Sequence, residues 1–146
     1  MTDTMTMTKS TYEVGKRLVE LCQAGKNREA IEELYADTVD VREAMEMPKE
    51  AVEAMGAPYK PNGPQSKEVL LKGSDWFFEN NEIHGGEIDG PYPLGDKFIC
   101  FMSIDITPKG GPMGGQRMEM KEACQYQVKD GKIVASHFCY PPMDCG

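Results

Sequence analysis

The chain has 146 residues, 16 basic against 24 acidic, with a formal net charge of −8 and an isoelectric point near 4.8. A chain of this length makes one domain and buries roughly two-thirds of its unfolded surface, so stability requires neither disulfides nor a metal. Its negative field argues against nucleic acid and anionic membranes as partners, and no apolar run approaches the roughly 20 residues that span a bilayer.

Residues 1–10 (MTDTMTMTKS) are polar and repetitive, without periodicity or the apolar core of a secretory signal. They are expected to be disordered, leaving residues 11–146 as the single domain. From Tyr12 the pattern is helical: Val14, Leu18, Leu21 and Cys22 share one face, and Gly25 stops the helix. Asn27 is placed to cap a second helix with the stripe Ala30, Ile31, Leu34 and Tyr35. Residues 38–44 alternate as a short strand, with Val39, Val41 and Glu43 on one side and Asp40 and Arg42 on the other.

Residues 45–56 have room for a turn or two of helix through Ala51, Val52 and Met55. Pro58, Pro61, Gly63 and Pro64 then enforce an irregular segment, either a connecting loop or a flap over a cavity. Ser66 is placed to cap a third helix carrying Val69, Leu70, Gly73, Trp76 and Phe77 on one stripe. Gly73 costs about 1 kcal/mol of helix propensity relative to alanine, which implies close packing there. The rest reads as sheet: strands at 82–89, 97–107, 116–128 and 132–140, joined by turn-rich connections at 90–95, 108–115 and 129–131. Asp130-Gly131 marks a tight hairpin. Helices followed by hairpin-linked strands predict an α+β domain with an antiparallel sheet wrapped against helices.

Leu34-Tyr35-Ala36-Asp37, the short strand, the third helix, the hairpins and the closing Asp130-Gly131-Lys132-Ile133-Val134 together resemble the nuclear transport factor 2-like superfamily over residues 12–140. Within it the nearest resemblance is to SnoaL-like proteins and ketosteroid isomerase. The resemblance implies a curved antiparallel sheet wrapped around three N-terminal helices, a cystatin-like α+β cone with a central pocket. It does not imply one reaction, because the fold hosts isomerases, cyclases, dehydratases, hydrolases and non-catalytic binders. Alignment with the isomerase puts Glu43 at its proton-abstracting carboxylate, and Leu18 and Cys124 at its two oxyanion donors. Neither donates a comparable hydrogen bond, which departs from steroid-type isomerisation. Cys124 also stands where SnoaL-like cyclases carry an acid.

Alternation along the third long strand puts Met118, Met120, Glu122, Cys124, Tyr126 and Val128 on the concave face. Glu122 is then either an acid among apolar side chains, which flags function, or a rim acid paired with a lysine. The isomerase alignment puts His137 on the pocket side, where it is either structural or a proton carrier. Tyr35 and Tyr126 offer phenolic hydrogen bonds to a ligand or to the protein. Trp76, Phe77, Phe98 and Met102 belong to a core that continues into the pocket wall. Among eleven methionines, Met45, Met47, Met55, Met102, Met113, Met118 and Met120 make either an adaptable wall or an irregular core filling. His84 stands near Glu82, Glu87 and Asp89 without a local ligand motif, so no metal is expected. Five cysteines, an odd number without a CxxC pair, read as reduced thiols in a cytoplasmic protein.

The site expected from these residues has Glu43 and His137 as catalytic groups and Tyr35, Trp76, Met102, Glu122, Cys124 and Tyr126 as binding groups. It would perform isomerase-, cyclase- or dehydratase-type acid–base chemistry on a small apolar carbonyl compound without a cofactor. The alternative is a non-catalytic ligand-binding or dimerising module, with Ile99, Phe101, Val134 and Phe138 forming an apolar patch for a homodimer.

Overall fold

In the computed structural model, which describes residues 10–44, 48–58 and 61–141, Ser10 opens the first helix. Its hydroxyl accepts the Glu13 N–H (3.1 Å) while the Glu13 carboxylate accepts the Ser10 N–H (3.3 Å), a complete capping box. The expected disorder of residues 1–9, together with Met45, Met47 and Cys145, lies outside the described residues. Helix α1 (Thr11–Gln23) ends before Gly25 (φ 74°), as its sequence predicts. Helix α2 spans Asn27–Leu34; Asn27 is its first residue rather than its cap, which falls on Lys26 without a side-chain bond. Two lysines hold the far end of α2 instead: Lys67 donates to the Glu32 carbonyl (3.1 Å) and Lys132 to that of Glu33 (2.7 Å). Cations at a helix C-terminus meet carbonyls that have no partner within the helix.

Strand β1 (Tyr35–Glu43) follows directly, then the short helix α3 (Lys49–Ala54), strand β2 (Gly63–Ser66) and helix α4 (Lys67–Glu79). Ser66 caps α4 by accepting the Val69 N–H (3.2 Å). Strands β3 (Asn81–Leu94), β4 (Lys97–Pro108), β5 (Met118–Lys129) and β6 (Lys132–Cys139) complete the chain. The six strands lie in the order β2-β1-β6-β5-β4-β3. The sheet is mixed, which corrects the antiparallel expectation: β1 runs parallel to β6, and all other neighbours are antiparallel. Hairpins fix the direction of β3 to β6, whereas β1 meets β6 across nearly the whole chain and no turn dictates its direction.

Two further expectations change. The Pro- and Gly-rich segment at 61–66 contains β2, whose Pro64 lacks an N–H and is tolerated because the strand is at an edge. The turn expected at 90–95 is mostly strand: β3 continues through a register shift between Asp89 and Tyr92, and the chain reverses at Gly95-Asp96. Gly95 (φ 62°) takes the first central position of that two-residue turn, while Asp130 (φ 52°) and Gly131 (φ 78°) make the β5–β6 hairpin predicted from their sequence.

The core lies between α1 and the inner sheet face. Val14, Leu18, Val39, Phe98, Cys100, Cys124, Tyr126 and Ile133 are each at most 2% exposed, and the Phe98 and Tyr126 rings stack at 4.9 Å. Gly15 lets α1 settle onto the sheet: a Cβ there would stand 2.7 Å from Pro91 Cβ and 3.1 Å from the Phe98 ring. Arg17 and Glu33 tie α1 to α2 with paired bonds of 2.8 and 3.0 Å, and Arg28 and Asp75 tie α2 to α4. The helices and the curved, unclosed sheet form the α+β cone. Among the described residues, no helix is long and apolar enough to cross a membrane.

Candidate functional site

Paired residues on neighbouring strands point to the same side of a sheet, so the register assigns each candidate to a face. One inner row runs Cys100, Cys124, Phe138 and Glu43 across β4, β5, β6 and β1. The next row, toward the β4–β5 loop, carries Ile88, Met102 and Glu122. Glu43 and Glu122 therefore stand on the inner face in adjacent rows. Tyr140, just beyond the end of β6, meets both. Burial, then the Glu43 and Glu122 charges, push its phenol up, and the closeness of the Glu43 carboxylate to its hydroxyl adds to the rise.

Exposure changes sharply along this face. Cys100 and Cys124 are fully buried, whereas Met120, two residues before Glu122 on the same face, is 36% exposed. The acids thus sit where the fully buried part of the inner face gives way to the partly exposed side chains of Met102, Ile104 and Met120. The segment after β1 reaches the same end: a Cβ on Gly111 in the β4–β5 loop would lie 3.8 Å from Met55 Sδ.

Burial and the nearby Glu43 charge raise the Glu122 carboxyl above its ordinary range, while a hydrogen bond with Cys124 opposes them. Polar contacts continue inward. The Tyr126 hydroxyl lies close to both Cys124 and Tyr35 and opposes the rise of each, so a line of polar groups runs from the core floor to Glu122. Burial raises both phenols and all three inner thiols, Cys22 to about 11 and Cys100 to about 12, with Cys124 higher still. Protonated thiols this deep pack as small apolar groups; they are not nucleophiles. Cys22, Cys100, Cys124 and Cys139 are free.

The structure therefore brings Glu43, Glu122 and Met102 to one end of the inner face. Tyr35 (8% exposed), Cys124 and Tyr126 form the floor beneath them, within the core and not on an open wall. Trp76 is half-buried on α4, outside the rows that carry the two acids.

His137 is not on the pocket side. It pairs with Gln125 and Arg42 on the outer face, where its Nε2 lies 3.2 Å from Asp40 Oδ2, and Arg42 Nε donates to the same oxygen at 3.1 Å. The hydrogen bond to His137, followed by the one to Arg42, holds the Asp40 carboxyl below its ordinary range. The cause of the reversal is a bulge in β6. Val128 pairs with Ile133 but Gln127 pairs with Ala135, so one extra residue flips the alternation beyond it. Ser136 and Phe138 consequently face inward, and Phe138 leaves the outer patch to pack edge-on against Tyr126 (6.4 Å). Tyr140 follows the same flipped alternation, so its inward placement depends on the bulge and is not legible from residue order. His84 hydrogen-bonds Thr107 (2.7 Å) across β3 and β4. Among the described residues, no three His, Cys, Asp or Glu side chains are grouped so as to hold a metal ion.

The outer face has its own relief. A hollow of about 90 Å³ is lined by Tyr92, Leu94, Lys97, Phe98, Ile99 and Gln125. Beside it Phe101 is 51% exposed and in edge contact with Tyr92 (5.7 Å).

Residues 9–140 match the model of the SnoaL-like domain family. The chain is 36% identical to a Mesorhizobium loti protein provisionally described as a SnoaL-like polyketide cyclase, with a TM-score of 0.76 over 90% of this chain and 100% of that one. A nuclear transport factor 2-like protein from Burkholderia thailandensis shares the fold at 15% identity (TM-score 0.67, 90% of each chain). So does a Bacillus subtilis protein provisionally described as an isomerase, at 12% identity (TM-score 0.63, 92% of this chain and 91% of that one). No curated protein matches the chain. A family match spanning nearly every described element, together with a relative of this identity aligned over its whole length, makes the chain a member of the SnoaL-like domain family.

Proposed function

We propose that the protein is an acid–base enzyme for a small, mostly apolar carbonyl compound, working at the half-open end of the cone. The observation that carries this reading is the placement of two carboxylates in adjacent inner rows, one of them raised by burial and by the other's charge. Two acids whose environments push their protonation apart are the usual arrangement for a base and a proton donor in one site. Glu43, as carboxylate, removes a proton from the carbon beside the carbonyl. The electron pair moves into the carbonyl oxygen, which takes a hydrogen bond from neutral Glu122 or from Tyr140. The enolate then recovers a proton at another carbon or attacks a second carbonyl within the same molecule. The first outcome is an isomerisation and the second a cyclisation, the two activities named for structural neighbours. Met102, Ile104 and Met120 supply an adaptable apolar wall. The filled core beneath Glu122 keeps the substrate near the surface and small.

The test is loss of α-protons from a panel of linear and cyclic ketones and diketones incubated with the protein in D₂O. Exchange at one member, lost in both Glu43→Gln and Glu122→Leu, supports the reading; a panel untouched by the wild type contradicts it.

A second reading, a module that dimerises through its outer sheet face, is favoured by Leu94 (84% exposed), Tyr92 (52%) and Phe101 around the hollow. Such clustering of exposed apolar side chains marks contact surfaces. Under this reading the protein sediments as a dimer at tens of micromolar, and Phe101→Glu converts it to a monomer. A wild-type monomer at that concentration removes the reading.

A further inference from the structure

We propose that Asn62 is the positioning residue for Glu43, acting as a one-residue substitute for a neighbouring strand. This rests on the assignment of Glu43 and Glu122 to the site proposed above. Glu43 is the last residue of β1. On one side the strand end is held by β6, through register with Phe138 and a 3.0 Å bond from the Ala44 N–H to the Phe138 carbonyl. On the other side the ladder with β2 stops at Val41 opposite Gly63, two residues short of Glu43. The Asn62 carboxamide fills that gap. Its Oδ1 accepts the Glu43 N–H at 3.0 Å and its Nδ2 donates to the Glu43 carbonyl at 3.2 Å. One side chain thus forms both hydrogen bonds that a facing residue of an antiparallel strand would form.

Asn62 is itself fixed from below. Gln65, only 7% exposed, donates its Nε2 to the Pro61 carbonyl at 2.5 Å. Gly63 takes φ 125°, where a side chain would be strained, and so turns the chain to bring Asn62 back over β1. The apparently irregular Pro61-Asn62-Gly63-Pro64-Gln65 run is therefore a clip with one carboxamide anchoring the turn and the other holding the strand.

Strand ends open locally at little cost unless they are tied, and an acid–base group must be held to within about 0.5 Å of its working geometry. Alternation transmits the backbone to the side chain: if the end of β1 frays or rotates, the Glu43 carboxylate leaves the row it shares with Phe138 and its place beside Tyr140 and Glu122. The groups facing Glu122 are Glu43, Tyr140 and Cys124, and Glu43 is the one whose backbone Asn62 holds with two hydrogen bonds.

The experiment compares wild type, Asn62→Ala, Asn62→Leu and Glu43→Gln by hydrogen exchange of backbone amides and by ¹³C NMR titration of the Glu122 carboxyl. Asn62 is exposed, so both of its variants should keep the wild-type amide spectrum. Glu43 amide exchange should rise about two- to tenfold, as expected for losing hydrogen bonds of ordinary net strength, while exchange at Val39 stays as it was. The Glu122 midpoint should move part of the way toward its value in Glu43→Gln. If Glu43→Gln lowers that midpoint and the Asn62 variants leave it alone, the clip is structural only and this inference is overturned. If Glu43→Gln leaves Glu122 where it was, the acid pair itself fails, a separate outcome. Should the Asn62 variants not fold, the wild type still decides: slow exchange at Glu43, comparable to mid-strand Val41, supports the clip, and fast exchange overturns it.

Discussion

Glu43→Gln is expected to keep the fold and lose about 10²–10⁴-fold of turnover, the usual contribution of a positioned acid–base group. The side chain is half-buried on the inner face, and an amide of the same shape preserves packing while removing the proton acceptor. Glu122→Leu should lose activity comparably because it removes that hydrogen-bond donor, whereas Glu122→Gln keeps an N–H donor and should lose less. Its effect on stability has the opposite sign. The Glu122 carboxyl is raised in the folded protein, so the folded chain retains a proton that the unfolded chain has already released. Its stabilising contribution is complete below the ordinary carboxylate range and is lost as pH climbs through the raised midpoint. Above that midpoint the buried charge is a cost, driven first by desolvation and then by Glu43. Glu122→Gln should therefore melt higher than wild type at neutral pH, with the gain vanishing in acid. Thermal melts of the two proteins at neutral and acidic pH measure this. A lower melting temperature at neutral pH would place Glu122 in a stabilising ion pair instead.

Phe98→Ala should be the most destabilising single change. Phe98 is 1% exposed, stacks on Tyr126 and meets the close approach of α1 at Gly15. Truncating a buried phenylalanine costs about 3–5 kcal/mol through lost transfer energy and the cavity left behind. For a domain of this size the loss corresponds to a fall of about 10–15 °C in melting temperature. The same ring supports Tyr126, whose hydroxyl lies close to Cys124 beneath Glu122. The variant should thus also loosen the floor of the site, seen as broadened NMR signals from Tyr126 and Glu122. A change in melting temperature of under about 3 °C would mean that α1 and the sheet relax onto each other.

Local signals made most of the fold legible in the sequence. The apolar stripe of α1, the Ser66 cap and the Asp130-Gly131 turn each act through neighbours close in the chain, and the structure has all three. Alternation also placed Glu43 and Glu122 on the inner face, because no irregularity intervenes within 118–128 or near the end of β1. What the sequence did not disclose depends on the partner strand. The bulge at Val134 exists only relative to β5, and it reverses His137, Phe138 and Tyr140 together. The parallel pairing of β1 with β6 and the addition of Pro64-bearing β2 to its edge likewise involve partners that no turn residue announces. Asn62 was invisible for a related reason: its role is defined by a gap in a ladder. Cys124 and Tyr126 lie on the face that alternation predicts, whereas Tyr35, expected on the α2 stripe, opens β1; residue type and alternation do not reveal how far α1 fills the cone.

The most direct test follows the methionine methyl groups by NMR while a small enolisable ketone is titrated into ¹³C-methyl-methionine protein. Binding between the two acids predicts that the signals of Met102 and Met120, which flank Glu122 on the inner face, shift together and saturably, with Met113 on the exposed β4–β5 loop unmoved. Saturable shifts confined to residues around Tyr92 and Ile99, with Met102 and Met120 unchanged, would put the ligand on the outer face and contradict the account.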